Sequence, residues 1–527
     1  MTRKRRSLAQ FLATPAAYEP RPQQVEIHET HISWVFVTDR FAFKLKKPVR
    51  FEFLDFSTPA LRREACEAEV RLNRRLTDDL YLGVLPVFEH APGDFQIGAA
   101  EQSGDGDNKI AERGTAVDWI VWMRRLPLDR SLDRLIEERR VADEDIARLA
   151  QRLAQFYRSA PPLDIDPADY RRAIEQHVRA NLADLLAPAH DLPTTVVRRS
   201  HGAQLRWLAT HAALLAQRVS AGRIIEGHGD LRPEHICLAE PIQIFDCLEF
   251  NAEFRRLDVV DELAFLAMEC DMLGAASIEE RIIATYSAAT GDVPPTDLVA
   301  FYKSYRAAVR AKVAALRAAQ LPDDEAASAR QVARRYLERC DREAAALGRP
   351  PLVVVRGLMG SGKSTVARAI AERIGAQYLA TDVIRRELFG PSQQAAGFGE
   401  GNYTSQRRRE VYDQLLHAAD ELLAGGEAVV LDGTFLAAAD QQRTAEIASA
   451  RGLPALVVNC RCPADVARER IARRLATGDD ASEARPELLD AQQALDEPTP
   501  AGLPSVTIDT NRPLEENLES VFTSAWT

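Results

Sequence analysis

The pattern of polar and apolar positions changes rhythm along the chain. From residue 20 to about 125 it is mainly that of strands. HISWVFVT, from His31, and RFAFKLK, ending at Lys46, are rich in β-branched and aromatic residues, and WIVWM, from Trp119, reads as a further strand. One helix is expected here, from about Pro59 to Leu76. RRLPLDRSLDRLI then turns the chain into helix, and residues 142 to about 217 are largely helical in pattern. The segment IIEGHGDLRPEHICLAEPIQIFDCLEF breaks that pattern with short strands and loops, before helices resume from about Leu257 to Leu347.

LGRPP, ending at Pro351, reads as a linker. After it, strands LVVV, QYLAT, AVVLDG, ALVVNC and SVTIDT alternate with helical segments. That alternation predicts a parallel sheet with helices on both faces. Two domains are therefore expected, 1–347 and 348–527. SGDGDNK, from Ser103, reads as a surface loop.

Composition narrows the class. Of 527 residues, 46% are hydrophobic and 28% charged, which is globular and excludes wholesale disorder and collagen-like or disulfide-scaffold chains. A net charge of -11 argues against broad coating of nucleic acid, although a local basic groove stays compatible with it. Seven scattered cysteines form neither a disulfide framework nor a paired zinc pattern. No apolar run reaches the roughly 18 residues of a membrane span. Arg3 to Arg6 are basic, but the following SLAQFLATPAAYEP has too short an apolar run for a signal peptide. A cytoplasmic protein is expected.

Candidate chemistry appears in both halves. GLMGSGKS, Gly357 to Ser364, fits GxxxxGK[ST] and sits between a buried strand and the helix TVARAIAERI. Gly357, Gly360, Ser361, Gly362 and Thr365 belong to a backbone cradle for phosphate oxygens. Lys363 adds positive charge at the β/γ-phosphates, and Ser364 is a Mg²⁺ ligand. Asp432 ends the strand AVVLD and reads either as a metal-facing carboxylate or as a helix cap. Asp382 and Arg385, in TDVIRREL, follow another strand. They read as a proton acceptor and an acceptor-binding cation, or as an N-cap and a solvated arginine. Arg468, Arg470, Arg473 and Arg474 precede a polar loop. They form either a solvated basic face or a lid, with Arg470 and Arg474 meeting the nucleotide.

Residues 350–527 resemble the small-molecule P-loop kinases, the group of gluconate kinase, polynucleotide 5′-kinase and zeta toxins. The P-loop and the DxxR element carry the resemblance. It implies an α/β parallel-sheet P-loop NTPase fold and a kinase using ATP.

HGDLRPEH, His228 to His235, followed by IFDCLEF, resembles the catalytic and metal loops of the protein-kinase-like fold in its aminoglycoside phosphotransferase branch. The resemblance spans about residues 20–340 and implies an α+β bilobal domain. It makes Asp230 the catalytic base and Asp246, sixteen residues on, the metal-binding aspartate. His228 would brace the loop. His235 replaces the family's metal-binding asparagine and is a candidate metal ligand, but histidine is a poorer Mg²⁺ ligand because hard cations prefer oxygen, so the alternatives are another metal, a hydrogen bond to phosphate, or weakened catalysis.

Lys44 matches the nucleotide-binding lysine, with Lys46 competing from the same face and Lys47 pointing away. Glu69 lies on the inward stripe of Leu61, Ala65, Leu72 and Leu76 as the lysine's partner, with Glu67 as the alternative and a solvated glutamate as the plainer reading. WMRRLP, Trp122 to Pro127, resembles the hinge that meets adenine. An acidic residue at Asp258 or Asp261 is expected to brace the catalytic loop. Lys303, Arg306 and Arg310 lie along one helix and read either as the lining of an anionic acceptor pocket or, as expected, as a solvated helix face.

The whole order resembles a family of bacterial proteins described as bifunctional aminoglycoside phosphotransferase/ATP-binding proteins. The resemblance implies a tandem phosphotransferase using ATP and Mg²⁺ on small-molecule hydroxyl acceptors. The rival readings are a pseudokinase regulating the P-loop kinase, motivated by His235, and a kinase of nucleic-acid ends.

Overall fold

The computed structural model describes residues 7–51, 54–99, 116–390, 401–477 and 489–524. The SGDGDNK loop lies outside them. By contact the chain forms two units: Met1–Ile165 with Arg218–Val299, and Asp166–Gln217 with Ala300–Thr527. Segments 166–217 and 300–347 thus group with the parallel sheet.

The first unit holds a six-stranded antiparallel sheet. In chain order its strands are β1 (Glu26–Glu29), β2 (Ser33–Val37), β3 (Phe41–Lys46), β4 (Tyr81–Ala91), β5 (Asp94–Ile97) and β6 (Ala116–Arg124). Their spatial order is β1-β2-β3-β6-β4-β5. Strand alternation sorts FAFKLK onto two faces. Phe43 and Leu45 join a core with Phe36 and Ile120. Lys44 pairs with Val121, which packs with Cys66 and Val70 of helix α1 (Pro59–Asn73). Pro59 starts α1 where its missing N–H costs nothing, and the Thr58 hydroxyl accepts from the Leu61 N–H.

Strand β4 is not evident in the sequence, because Gly83 and Pro86 interrupt it. Its ladder with β6 is irregular at Tyr81/Gly83 and Val87/Phe88, which accommodates them. A helical layer follows, with helix α2 (Val259–Met272) at its centre. Leu263 and Leu266 of α2 pack with Leu149, Leu153, Ile282 and Tyr286. The loop segment 224–250 carries the hairpin Ile236–Cys237/Gln243–Ile244, which separates Asp230 from Asp246.

The second unit holds a wholly parallel sheet. Its strands are β7 (Leu352–Arg356), β8 (Gln377–Ala380), β9 (Val429–Asp432), β10 (Ala455–Arg461) and β11 (Ser505–Asp509), in spatial order β8-β9-β7-β10-β11. Val353 and Val355 face helix α3 (Lys363–Ile374) with Val366 and Ile370. Leu352 and Val354 face the other layer, which holds helices α4 (Thr381–Phe389) and α5 (Ser405–Ala424). Both faces of β7 are covered, so the strand is apolar throughout until Arg356.

The expectation of a solvated face at Lys303 and Arg306 is overturned. Each is only 8% exposed, and Lys303 lies 3.4 Å from Glu343. Arg310 packs its guanidinium over the Tyr336 ring. A helix packed on two sides buries the stems of long cations as well as apolar residues.

Candidate active sites

In the first unit, β3 and α1 bring a charged cluster into a buried layer. The Lys44 ammonium donates to Glu69 Oε1 at 2.9 Å and to Asp246 Oδ1 at 2.6 Å. Lys46 donates to Glu69 Oε2 at 2.7 Å and to Glu249. Glu69 is fully buried, whereas Glu67 pairs with Arg63 at the surface. Lys47 points away, to Glu29 and over Trp34.

Desolvation works against the Lys44 ammonium, but Asp246, Glu69 and Glu249 together hold its pKa well above the ordinary value. Desolvation likewise opposes the Asp246 carboxylate, and Lys44 and His235 hold it well below the usual carboxylate range. Asp246 adopts a left-handed backbone, φ 59°, with its N–H donating to the Tyr81 hydroxyl at 3.3 Å. A non-glycine residue held there marks a position fixed by its surroundings.

Asp230 sits on a loop braced from below. Glu262 Oε1 accepts the N–H groups of His228 at 2.5 Å and Gly229 at 2.6 Å. The expected brace at Asp258 or Asp261 is therefore corrected to Glu262. Asp258 instead caps α2 and accepts from Nε and Nη2 of Arg218, whose Nη1 donates to Asp292. Gly227 is required beneath the loop, since a Cβ there would lie 2.8 Å from the Glu262 carboxyl.

His235 Nδ1 lies 2.9 Å from the Asp230 carbonyl, and its Nε2 lies 3.5 Å from Asp246 Oδ2. Arg232 also enters the cluster, its Nε 3.1 Å from Asp230 Oδ1 and its Nη2 3.4 Å from His235 Nε2. Glu249, Arg232 and Glu262 were not singled out from the sequence. Arg232 and Glu249 lie within the DxxxxH and FDCLE segments, and Glu262 follows Asp261 in the first turn of α2.

His228 gives a pH prediction. Its Nε2–H donates to the Phe245 carbonyl at 2.9 Å and its Nδ1 accepts the Asp230 N–H at 3.3 Å, so both nitrogens are used by the neutral ring. Burial first, and His235 second, push its pKa down to about 4. Below about pH 6.5 the unfolded chain binds a proton that the folded chain refuses. Stability should fall between those two values, by up to about 1.4 kcal/mol per pH unit from this group. Urea midpoints at pH 7, 6 and 5 test this, and His228→Gln should make the decline shallower.

In the second unit, the phosphate cradle lies at the carboxyl end of β7. Gly360 and Gly362 have φ of 75° and 82°, and a Cβ on Gly360 would lie 2.5 Å from the Ala467 carbonyl. Gly362 stands at the N-cap of α3, so Lys363, Ser364 and Thr365 form its first turn. Gly357 packs against the Cys460 carbonyl, and the Ser361 carbonyl accepts from the Thr510 hydroxyl at 2.6 Å. Arg470 donates to Thr510 Oγ1 at 3.1 Å and to the Thr510 carbonyl at 2.9 Å, bracing this junction. Arg468 and Arg473 pair at the surface with Asp490 and Glu469. The Arg474 side chain and the loop at 478–488 lie outside the described residues.

Asp432 is 4% exposed at the end of β9. The next helix begins only at Ala438, so Asp432 caps none. Its Oδ2 accepts the Tyr378 hydroxyl at 2.6 Å, while Oδ1 is buried without a hydrogen-bond partner. That orphaned oxygen, with the Ser364 hydroxyl as a second oxygen donor, fits a hard divalent cation. Asp382 is the second residue of α4, with Ala380 at the N-cap, and it pairs with Arg385 one turn on. Arg385 is not solvated: its side chain is 13% exposed and its guanidinium lies 4.5 Å over the Tyr403 ring. Tyr378 was missed because cross-strand register, not sequence spacing, sets it against Asp432.

These features define a P-loop domain, and an AAA domain family model matches residues 352–499. The chain is 33% identical over 493 residues to the uncharacterized protein Rv2004c of Mycobacterium tuberculosis, covering 92% of each. The chain belongs to the family of that mycobacterial protein. Over 86 residues, 16% of this chain and 52% of the relative, it is 35% identical to shikimate kinase of Salinispora tropica. Among solved structures, a choline/ethanolamine kinase family protein from Mesorhizobium loti is similar at 14% identity, covering 64% of this chain and 98% of that one with a TM-score of 0.37.

Proposed function

We propose that the protein is a tandem ATP-dependent phosphotransferase of the cytoplasm, with functional halves 1–347 and 348–527, acting on hydroxyl groups of small molecules. The observation that carries this is the presence, in one chain, of two separate constellations of lysine, carboxylate and candidate base. In the first half, Glu69 holds Lys44 toward the nucleotide phosphates and Asp230 orients the acceptor hydroxyl and receives its proton. Asp246 and His235 would hold the metal. In the second, the amides from Gly357 to Thr365 and Lys363 cradle the phosphates, with Ser364 and Asp432 holding Mg²⁺. Asp382 takes the acceptor's proton and Arg385 holds the acceptor, while Arg470 braces the P-loop through Thr510. A divalent cation held by these residues would supply positive charge against the transferred phosphoryl group.

A second reading draws support from Arg232, which lies against both Asp230 and His235 and would disarm the base. The first half would then sense nucleotide and regulate the second. ATP turnover with Mg²⁺ and a pooled metabolite extract decides between them. Under the first reading Lys363→Ala and Asp230→Asn each remove a separate share of turnover, the latter by about 10²–10⁴-fold for its own share. If Asp230→Asn leaves turnover intact, the regulatory reading stands.

A further inference from the structure

The two candidate metal sites differ in donor atoms. Near the P-loop both donors, Ser364 and Asp432, are oxygens. In the first unit the position opposite Asp246 presents nitrogen. A carbonyl only accepts hydrogen bonds, so His235 Nδ1, 2.9 Å from the Asp230 carbonyl, carries the proton. In the neutral ring Nε2 then bears the lone pair, which faces the Arg232 Nη2 donor at 3.4 Å, and it is the nitrogen 3.5 Å from Asp246 Oδ2. Neighbouring donors on one ion, each bonded at about 2.1 Å, lie about 3 Å apart, so small adjustments bring these two together. His235 is 7% exposed, which limits rotation of its ring.

We infer that the first unit prefers a first-row transition-metal divalent ion over Mg²⁺, with Mn²⁺ as the spectroscopic probe, through His235 Nε2 and Asp246, while the P-loop site takes Mg²⁺. The inference rests on the proposed nucleotide site in that unit. Imidazole is a borderline donor that favours first-row transition ions over Mg²⁺. Among the described residues no three His, Cys, Asp or Glu side chains form a metal cage. The remaining coordination then falls to nucleotide phosphates and water, as is usual for phosphotransfer ions. The Arg232 guanidinium, 3.4 Å from the same nitrogen and paired with Asp230 and Glu234, competes with the ion for that nitrogen.

The test is pulsed electron paramagnetic resonance of the full chain with Mn²⁺ and the non-hydrolysable analogue AMPPNP. Two Mn²⁺ ions should bind per chain, and imidazole-nitrogen coupling should appear on one only. His235→Asn should keep both ions, lose that coupling, and lower the Mn²⁺ over Mg²⁺ preference of that site by about tenfold in competition titrations. Two bound ions without imidazole coupling, or coupling that survives His235→Asn, overturns the inference and leaves the nucleotide reading intact. A single bound ion that Lys363→Ala removes overturns both.

Discussion

Replacing Lys46 by methionine should destabilise the first unit by about 3–5 kcal/mol, the cost of removing one partner from a buried ion pair. Lys46 is fully buried, with Glu69 and Glu249 as its partners and the Phe56 ring 5.0 Å from its ammonium. The substitution keeps most of the volume and leaves the Glu249 side chain, 4% exposed, without its cation. Lys44→Met should behave differently. Glu69 would retain Lys46, and the Asp246 side chain is 40% exposed, so water can take over part of the lost contact. Its stability cost should be smaller and its main effect a loss of nucleotide-dependent turnover. Denaturant midpoints and AMPPNP binding for the two variants separate the roles. A normal midpoint for Lys46→Met combined with lost binding would reverse the assignment of the two lysines.

That pair also shows what the sequence makes legible. Alternation along FAFKLK places Lys44 and Lys46 on one face, and the periodicity of α1 places Glu69 toward them. Which lysine is structural depends on Glu249, 203 residues from Lys46 in sequence, and no local pattern reports that contact. Helix periodicity has a similar limit at α2. Asp258, Asp261 and Glu262 crowd its start, and only packing of the helix decides that Glu262 turns toward the loop amides. The P-loop was readable because strand, glycines, lysine and helix are contiguous, so the chemistry is written in one short segment. Strand β4 was hidden for the opposite reason. Gly83 and Pro86 argue locally against a strand, and the irregular ladder that tolerates them is a property of the assembled sheet.

Asp432→Asn should separate stability from function in the second unit. The wild-type carboxylate is 4% exposed, has the Tyr378 hydroxyl on one oxygen, and leaves the other oxygen buried without a partner. An unmet buried charge costs stability. The neutral isostere can still accept from Tyr378, so the thermal midpoint without ligand should be kept or raised. Turnover assigned to the P-loop should nevertheless fall by about 10²-fold or more, because Asp432 supplies the charge that holds the cation against the phosphates. The ligand-induced rise in stability gives an independent readout. At Mg²⁺·AMPPNP about 100 times Kd, the wild type gains about 2.7 kcal/mol, whereas a variant binding about 100-fold more weakly gains about 0.4 kcal/mol. Equal ligand-induced shifts in the two proteins would show that Asp432 does not face the metal. A lower midpoint in the unliganded variant would instead make the Tyr378–Asp432 contact a structural one.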